Sequence, residues 1–286
     1  MFSLFLISLA KVRNSHATWE RGGLHTLLLT ANSQQLTVRV MGLASANFES
    51  NIAPNKYLGF YSARHFIIVA MPDYQLLITM SLQFVSIPPT TDRKPVALIV
   101  ALHGWGANAR DLTSLAPVFN LPDYQFVFPD APFPHPQVMG GKAWYDLQSK
   151  DPQGLVKSRQ LLREFLLSLE NSTGVPLSRT ILGGFSQGGA MTLDVGLTLP
   201  VAGLICLSGY LHPISPVAGS ALPPVLIVHG TQDTIVPVTA AVRSRDSLTA
   251  WGAAVQYREF IMGHEIRPEV VDVMRSFVVE TVSKSD

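Results

Sequence analysis

The segment GFSQG, residues 184–188, places a single serine, Ser186, between glycines in the pattern G-x-S-x-G. The short apolar run TIL precedes it, and residues 190–199 after it have the composition of a helix. Between a strand and a helix, this pattern holds a serine on a sharp turn with strained backbone angles and an exposed hydroxyl. A glycine-rich connection with an incidental serine is the alternative. The strand-to-helix context favours Ser186 as a nucleophile.

A serine hydroxyl is a poor nucleophile unless a histidine removes its proton and a carboxylate orients that histidine. His212, His229 and His264 follow Ser186 in the chain. Where such a turn carries a nucleophile, the chain order is serine, acid, histidine, and the partners lie in loops after later strands. His264 follows the strand candidate VQYREF and precedes the last predicted helix. The order therefore predicts His264 as the base, because the other two histidines precede the best acid.

The best candidate for the acid is Asp233, which lies in the loop HGTQDTIVP directly after the strand candidate PVLIV. Asp194 falls inside the helix behind the nucleophile, so we do not expect its side chain to turn towards the site. Asp246 lies in a predicted helix beside Arg243 and Arg245, where an ion pair is the simpler explanation. For Asp233 the alternative is an aspartate that only caps its own loop.

An acyl-transfer site also needs donors for the oxyanion. The turn after Ser186 places the Gln187 backbone N–H at a helix N-terminus, where it can stabilise negative charge. A second donor is expected from an earlier strand-to-helix loop, and ALHGWGANARD has glycines on both sides of Trp105. We therefore expect the N–H groups of Trp105 and Gln187 to form the oxyanion hole. His103, in the same loop, precedes the nucleophile, so a structural role is expected for it.

The elements that must position these residues alternate between strand and helix. The continuous apolar runs VALIVAL, AGLICLS and PVLIVHG have strand length, as expected for strands buried on both faces. The segments LVKSRQLLREFLLSLE and PEVVDVMRSFVVETV have the character of helices. The alternation predicts an α/β fold, with a mainly parallel sheet covered by helices on both faces.

Composition excludes several classes of function. The formal net charge is +1 and the basic residues are scattered, so a nucleic-acid partner is not expected. Cys206 is the only cysteine, which excludes a disulfide framework and a cysteine zinc site within one chain. It lies in an apolar run, so we expect a buried structural thiol.

The N-terminal apolar run MFSLFLISLA is too short to span a bilayer, which takes about 20 residues. Lys11 and Arg13 follow the run, whereas a signal peptide would place positive charge before it. The sequence therefore predicts a cytoplasmic protein without a stable membrane anchor, and secretion is the weaker alternative.

The motifs LHGWGANARD, AWYDL, GFSQGGAM, HGTQDTIVP and MGHEI occur in an order and spacing that resemble the carboxylesterase/phospholipase family of α/β-hydrolases. This family includes acyl-protein thioesterases and small bacterial carboxylesterases, and the resemblance covers about residues 80–284. It implies an α/β-hydrolase fold, a Ser186–Asp233–His264 triad, and an oxyanion hole formed by Trp105 and Gln187. The family often has leucine at the position of Trp105.

The segment AWYDL resembles a part of the family that lies near the acyl pocket. Trp144 and Tyr145 either line an acyl channel or pack in the core, and the sequence favours neither alternative.

Residues 1–79 have no counterpart in the family's usual short N-terminus. Our hypothesis is that translation starts at Met80 or Met71, and that residues 1–79 are a gene-model artefact or a disordered leader. The catalytic domain would then be residues 80–286.

Together these features predict a serine hydrolase that cleaves carboxylic esters, with thioesters as a second substrate class. No metal or organic cofactor is implied, and the expected partner is a small-molecule ester or an acylated substrate. Residues 209–225 leave no room for a large cap domain between two strands. The alternatives are a catalytically silent binding module with this fold, and an acyl-protein thioesterase or lysophospholipase. The oligomeric state is not predicted.

Overall fold

The structure is a computed structural model. It describes residues 15–21, 25–31, 36–42, 48–52, 60–63, 66–70, 76–79, 82–148, 152–214 and 221–283. The chain divides into two compact units, residues 1–81 and residues 82–286.

The first unit is described as backbone strands. They are β1 (Ser15–Arg21), β2 (His25–Ala31), β3 (Leu36–Gly42), β4 (Phe48–Ile52), β5 (Phe60–Ala63), β6 (Phe66–Ala70) and β7 (Leu76–Thr79). Sequential strands pair antiparallel, in one sheet of order β1-β2-β3-β4 and another of order β5-β6-β7. Residues 1–14 and both proposed start sites, Met71 and Met80, lie outside the described residues. The hypothesis of a disordered leader or a mis-assigned start stays a prediction.

The second unit is built on a seven-stranded sheet with a small two-stranded ribbon beside it. Its strands are β8 (Phe84–Ile87), β9 (Ala97–Leu102), β10 (Tyr124–Pro129), β11 (Phe133–Pro134), β12 (Lys142–Ala143), β13 (Thr180–Phe185), β14 (Gly203–Leu207), β15 (Val225–Gly230) and β16 (Val255–Phe260). The order in the large sheet is β16-β15-β14-β13-β9-β10-β8. Every neighbouring pair in it is parallel except β8 with β10. The predicted mainly parallel sheet is confirmed.

Within the described residues of this unit, five α-helices connect or follow these strands. They are α1 (Leu115–Phe119), α2 (Gln153–Thr173), α3 (Gln187–Gly196), α4 (Val238–Ala250) and α5 (Pro268–Ser283). Two short 3₁₀ helices, Ala109–Leu112 and Leu177–Arg179, precede α1 and β13. Gly174 ends α2 in the left-handed conformation, with φ 75°, as glycine commonly does at this position.

The core forms one cluster on each face of the large sheet, because successive side chains of a strand point to opposite faces. In β9, Leu98 and Val100 join one cluster, whereas Ile99 joins the other. Burial on both faces explains why the central strands are continuous apolar runs. Cys206 in β14 is fully buried, and burial raises the pKa of its thiol to about 12. Its predicted structural role agrees with this position.

The parallel strands all end at one edge of the sheet, and this edge carries the predicted chemistry. Ser186 follows β13 directly, Asp233 follows β15, and His264 follows β16. The loop with Trp105 follows β9. In open α/β sheets ligands bind outside the carboxyl ends of the strands.

Candidate active site

The turn between β13 and α3 holds Ser186 in a strained conformation, with φ 56° and ψ −118°. A non-glycine residue at positive φ is uncommon and marks strain that the surrounding structure must hold. Here the backbone is fixed at both sides of the residue. The Ser186 N–H donates to the Leu207 carbonyl at 2.8 Å, and the Ser186 carbonyl accepts from the Ala190 N–H at 3.1 Å. The strained turn predicted from G-x-S-x-G is present.

The glycines of the motif are required by close approach of backbone to backbone. A Cβ added to Gly184 would lie 2.3 Å from the Gly188 carbonyl oxygen. A Cβ added to Gly188 would lie 2.3 Å from the Leu102 carbonyl oxygen. Any side chain at either position would therefore push α3 away from β13 or β9, and with it the turn that carries Ser186.

Asp233 and His264 are in direct contact. The His264 Nδ1 lies 2.7 Å from Asp233 Oδ2, and since a carboxylate only accepts, Nδ1 carries the proton and donates. The other carboxylate oxygen accepts from the N–H groups of Ile235 and Val236 at 2.9 and 2.8 Å. Asp233 therefore both caps its own loop and orients His264, so the two predicted alternatives occur together.

The charge on Asp233 is stabilised by these contacts although its side chain has no exposed surface. Burial by itself raises the pKa of this carboxyl, but the hydrogen bonds from His264, Val236 and Ile235 outweigh it and lower the pKa below its usual value. An ionised Asp233 holds the imidazole with its Nε2 free of the carboxylate, as a general base requires.

His264 lies beside the nucleophile turn. Its ring centroid is 4.7 Å from that of Phe185, the residue before Ser186. The structure thus brings Asp233 and His264 together and places His264 next to this turn. The catalytic roles of Ser186, Asp233 and His264 stay predictions.

The loop with the expected second oxyanion donor adjoins the serine. A Cβ added to Gly104 would lie 3.3 Å from the Ser186 Cβ. The residue before Trp105 therefore packs against the turn that carries Ser186. The half-buried Trp105 ring contacts the His135 ring edge-on, with 4.6 Å between centroids. The Gln187 N–H belongs to the first residue of α3, where N–H groups have no intrahelical partner. Both donors of the predicted oxyanion hole remain predictions.

His103 fixes the shape of the same loop. It is fully buried, its Nδ1 lies 2.8 Å from the Gly104 carbonyl, and its Nε2 accepts from the Ala131 N–H at 3.0 Å. Burial lowers the pKa of His103, which favours the neutral ring that this pair of hydrogen bonds requires. This agrees with the structural role expected for His103.

The side chain of Gln187 has a role that the sequence did not indicate. Its Oε1 accepts from the Trp144 N–H at 2.9 Å, and its Nε2 donates to the Tyr145 carbonyl at 2.8 Å. The buried amide therefore ties the segment AWYDL to the residue after the nucleophile. No pattern of residue types predicts this contact, because many glutamines follow a serine without making it.

Trp144 lies in the core and has no exposed surface. Its indole N–H donates to the His103 carbonyl at 3.0 Å, which joins the segment AWYDL to the loop after β9 that carries Trp105. This position agrees with core packing, and the acyl-channel alternative for Trp144 stays a prediction. Tyr145 is buried except for a small fraction, and its hydroxyl lies 2.6 Å from that of Tyr210. An acyl-channel role for Tyr145 stays a prediction.

Two residues set aside as triad members pair with each other. Asp194 Oδ2 lies 2.7 Å from His212 Nδ1, and Asp194 also accepts from Arg159 Nε at 2.7 Å. That neither residue belongs to the triad stays a prediction. Asp246 forms the predicted ion pair with Arg245, at 2.7 Å. Within the described residues, no group of three His, Cys, Asp or Glu side chains could hold a metal ion.

Among the helices in the described ranges, none combines the length and the apolar character needed to cross a bilayer.

A mainly parallel sheet with a strained serine after one strand, and an acid and a histidine after later strands, defines an α/β-hydrolase. Residues 87–282 match the family model described as phospholipase/carboxylesterase. The chain belongs to the phospholipase/carboxylesterase family, which confirms the resemblance seen in its motifs.

Relatives within this family are named as thioesterases and esterases. Acyl-protein thioesterase 1 of Neurospora crassa is 30% identical over 217 residues, covering 66% of this chain and 88% of the relative. Acyl-protein thioesterase 1 of Schizosaccharomyces pombe is 34% identical over 178 residues, covering 56% and 78%. Among solved structures, esterase PE8 is 30% identical with a TM-score of 0.64, covering 71% of this chain and all of that one.

Proposed function

We propose that this protein hydrolyses carboxylic esters through an acyl-enzyme on Ser186, and that thioesters are a second substrate class. The observation that carries the proposal is the hydrogen bond between Asp233 and His264, at the sheet edge where Ser186 lies in its strained turn. These are the residue types, in the chain order, that acyl transfer to serine requires.

In the proposed reaction, Ser186 Oγ attacks the carbonyl carbon while His264 Nε2 takes the hydroxyl proton. The carbonyl oxygen gains a negative charge and accepts from the Trp105 and Gln187 N–H groups. When the tetrahedral intermediate collapses, the bond to the leaving group breaks and His264 donates its proton to the departing alcohol or thiol. Water then attacks the acyl-enzyme by the same sequence, which releases the acid and restores Ser186. Asp233 holds the imidazole throughout.

The substrate class is supported by the named relatives. The named relatives act on acylated proteins or esters, and both agree with a carboxylesterase-type hydrolase. An acyl-protein thioesterase or lysophospholipase is the second candidate, favoured by the number of relatives named as thioesterases. We propose a small-molecule ester or an acylated molecule as the partner, and the cytoplasm as the location.

The test uses p-nitrophenyl esters from acetate to palmitate and, in parallel, a palmitoylated cysteine peptide whose released thiol is measured. The wild-type protein is compared with Ser186→Ala and with Ser276→Ala, which changes an exposed serine of α5. We expect hydrolysis by wild type and Ser276→Ala, and a loss of about four orders of magnitude in Ser186→Ala. Equal rates in the two variants would overturn the role of Ser186. A folded wild type that cleaves neither class would support the silent binding module.

A further inference from the structure

A chain of hydrogen-bonded side chains runs from the protein surface to the end of β14. It comprises Arg159, Asp194, His212, Tyr145 and Tyr210, and we call it the polar chain. Asp194 accepts from Arg159 at 2.7 Å and from His212 at 2.7 Å. The other ring nitrogen of His212 lies 2.9 Å from the Tyr145 hydroxyl, which lies 2.6 Å from the Tyr210 hydroxyl.

The donors and acceptors of the polar chain have one consistent direction. The Asp194 carboxylate only accepts, so His212 Nδ1 carries a proton and donates to it. In the tautomer with the proton on Nδ1, Nε2 accepts from the Tyr145 O–H. The Tyr145 oxygen then accepts from the Tyr210 O–H.

This direction leaves the Tyr210 oxygen able to accept one more hydrogen bond. The segment that carries Tyr210 begins beside the nucleophile turn. Leu207, at the end of β14, accepts from the Ser186 N–H, and Tyr210 follows three residues later. Gly209 packs against the start of α3, where an added Cβ would lie 3.1 Å from the Gly189 Cα. Tyr210 is half-buried, whereas Tyr145 and His212 are buried.

A second contact ties the polar chain to the candidate oxyanion hole. Gln187, whose backbone N–H is the predicted donor, holds the Tyr145 carbonyl with its side chain at 2.8 Å. Burial, the neighbouring Tyr210 hydroxyl and the Asp194 charge raise the pKa of Tyr145, so its hydroxyl stays protonated and able to donate. The Tyr145 and Tyr210 hydroxyls therefore form a hydrogen-bonded pair, and the backbone of Tyr145 is tied to Gln187, the residue after Ser186.

We propose that the Tyr210 hydroxyl oxygen accepts a hydrogen bond from the bound substrate and selects esters that carry an O–H or N–H group near the scissile carbonyl. This inference rests on the proposed function and names a substrate class for it. Asp194 and His212 are positioning residues, because they act on the substrate only through the tyrosine hydroxyls. An aliphatic ester without such a donor leaves the Tyr210 acceptor without a partner and is disfavoured.

The test compares matched esters with and without the donor. In the first pair, p-nitrophenyl 3-hydroxybutyrate and p-nitrophenyl butyrate, the donor lies on the acyl side. In the second pair, 1-octanoylglycerol and methyl octanoate, it lies on the alcohol side, and hydrolysis is followed by titration of the released acid. For each pair the ratio of kcat/KM is measured in wild type, Tyr210→Phe and Tyr257→Phe. Tyr257 bonds Glu259 on β16 and serves as the control for loss of a phenol hydroxyl.

We expect wild type to prefer the donor-bearing ester of at least one pair, and the pair that shows it identifies the side of the scissile bond. Tyr210→Phe should lower that ratio by about 3- to 10-fold, as expected for one hydrogen bond, while Tyr257→Phe keeps it. The inference is overturned if wild type and Tyr210→Phe have the same ratio in both pairs. If the folded wild type cleaves none of the four esters, the proposed ester hydrolysis fails, and the inference fails with it.

The positioning role is tested with Tyr145→Phe and Asp194→Asn. Removing the Tyr145 hydroxyl breaks the polar chain but leaves Tyr210 intact, so the Tyr210 O–H is free to rotate. We expect Tyr145→Phe to lower the substrate ratio through KM for the donor-bearing ester, with a smaller change in kcat. Asp194→Asn should lower it in the same way, because an amide no longer fixes the His212 proton on Nδ1. Unchanged ratios in both folded variants would contradict the positioning role.

Discussion

His229 is a second imidazole on the Asp233 carboxylate. Its Nε2 lies 3.4 Å from Asp233 Oδ2 and donates to the Val236 carbonyl at 2.8 Å, and the ring is fully buried. The loop that carries Asp233 is therefore held by two sets of hydrogen bonds. The N–H groups of Ile235 and Val236 donate to Asp233, and the His229 imidazole donates to the Val236 carbonyl. The chain order excluded His229 as the base, and in the structure His229 contacts the predicted acid, Asp233.

We expect His229→Leu to lower kcat by about 5- to 30-fold with little change in KM. The reason is that loss of one buried hydrogen bond, worth about 1–2 kcal/mol, loosens the loop that aims Asp233 at His264. His229→Gln should recover part of the loss, because its amide N–H can donate to the Val236 carbonyl. Steady-state kinetics on p-nitrophenyl butyrate distinguish the variants. A kcat for His229→Leu equal to that of wild type would show that Asp233 is positioned without His229.

Gly188→Ala tests the close approach of α3 to β9. The new Cβ would lie 2.3 Å from the Leu102 carbonyl oxygen and 2.6 Å from the His103 carbonyl oxygen, which are backbone atoms that cannot move aside cheaply. We expect a loss of unfolding free energy of about 3 kcal/mol or more and a loss of most activity. Gly154→Ala is the matched control, because its nearest neighbour would lie at an ordinary 3.7 Å. Urea unfolding of both variants should separate them; equal stabilities would refute the steric argument.

The alternation of strand and helix could be predicted from the sequence because it depends on local periodicity and on apolar runs long enough to be buried. The chain order of serine, acid and histidine then located Asp233 and His264, since parallel strands bring their loops to one edge. The pairing of Asp194 with His212 could not be predicted in this way. It depends on which face of α3 meets the loop after β14, and on side-chain conformations that no spacing encodes. The same holds for the Gln187 side chain, whose partners lie more than forty residues away.

The stability of the protein should depend on pH through His103, which fixes the loop after β9. Burial lowers the pKa of His103 in the folded state, whereas in the unfolded chain it is close to 6.5. The unfolded chain therefore binds the proton more readily, and the contribution of neutral His103 to stability is fully present above about pH 6.5. It is lost as pH falls from there towards the lower folded pKa. Protonation of His103 Nε2 would also place a second N–H donor opposite the Ala131 N–H, so the hydrogen bond between them would be lost.

The measurement is the unfolding free energy in urea at pH 7.5, 6.5 and 5.5. Wild type should lose more stability on acidification than His103→Asn, which lacks the titrating ring. His135→Asn, a change at a half-buried histidine, should follow the wild-type profile. Parallel profiles for wild type and His103→Asn would mean that His103 does not govern the acid sensitivity.

Gln187→Leu separates the side-chain role of Gln187 from its backbone role. The substitution keeps the backbone N–H but leaves the buried Trp144 N–H and Tyr145 carbonyl without their partners. Each buried group left unpaired costs about 1–3 kcal/mol, so for the two groups we expect the unfolding free energy to fall by about 2–6 kcal/mol. The activity should fall through kcat, because the start of α3 carries the proposed oxyanion donor. Gln160→Leu, an exposed change on α2, should stay within about 0.5 kcal/mol of wild type. If Gln187→Leu is as stable as Gln160→Leu, the amide does not hold the segment AWYDL against α3.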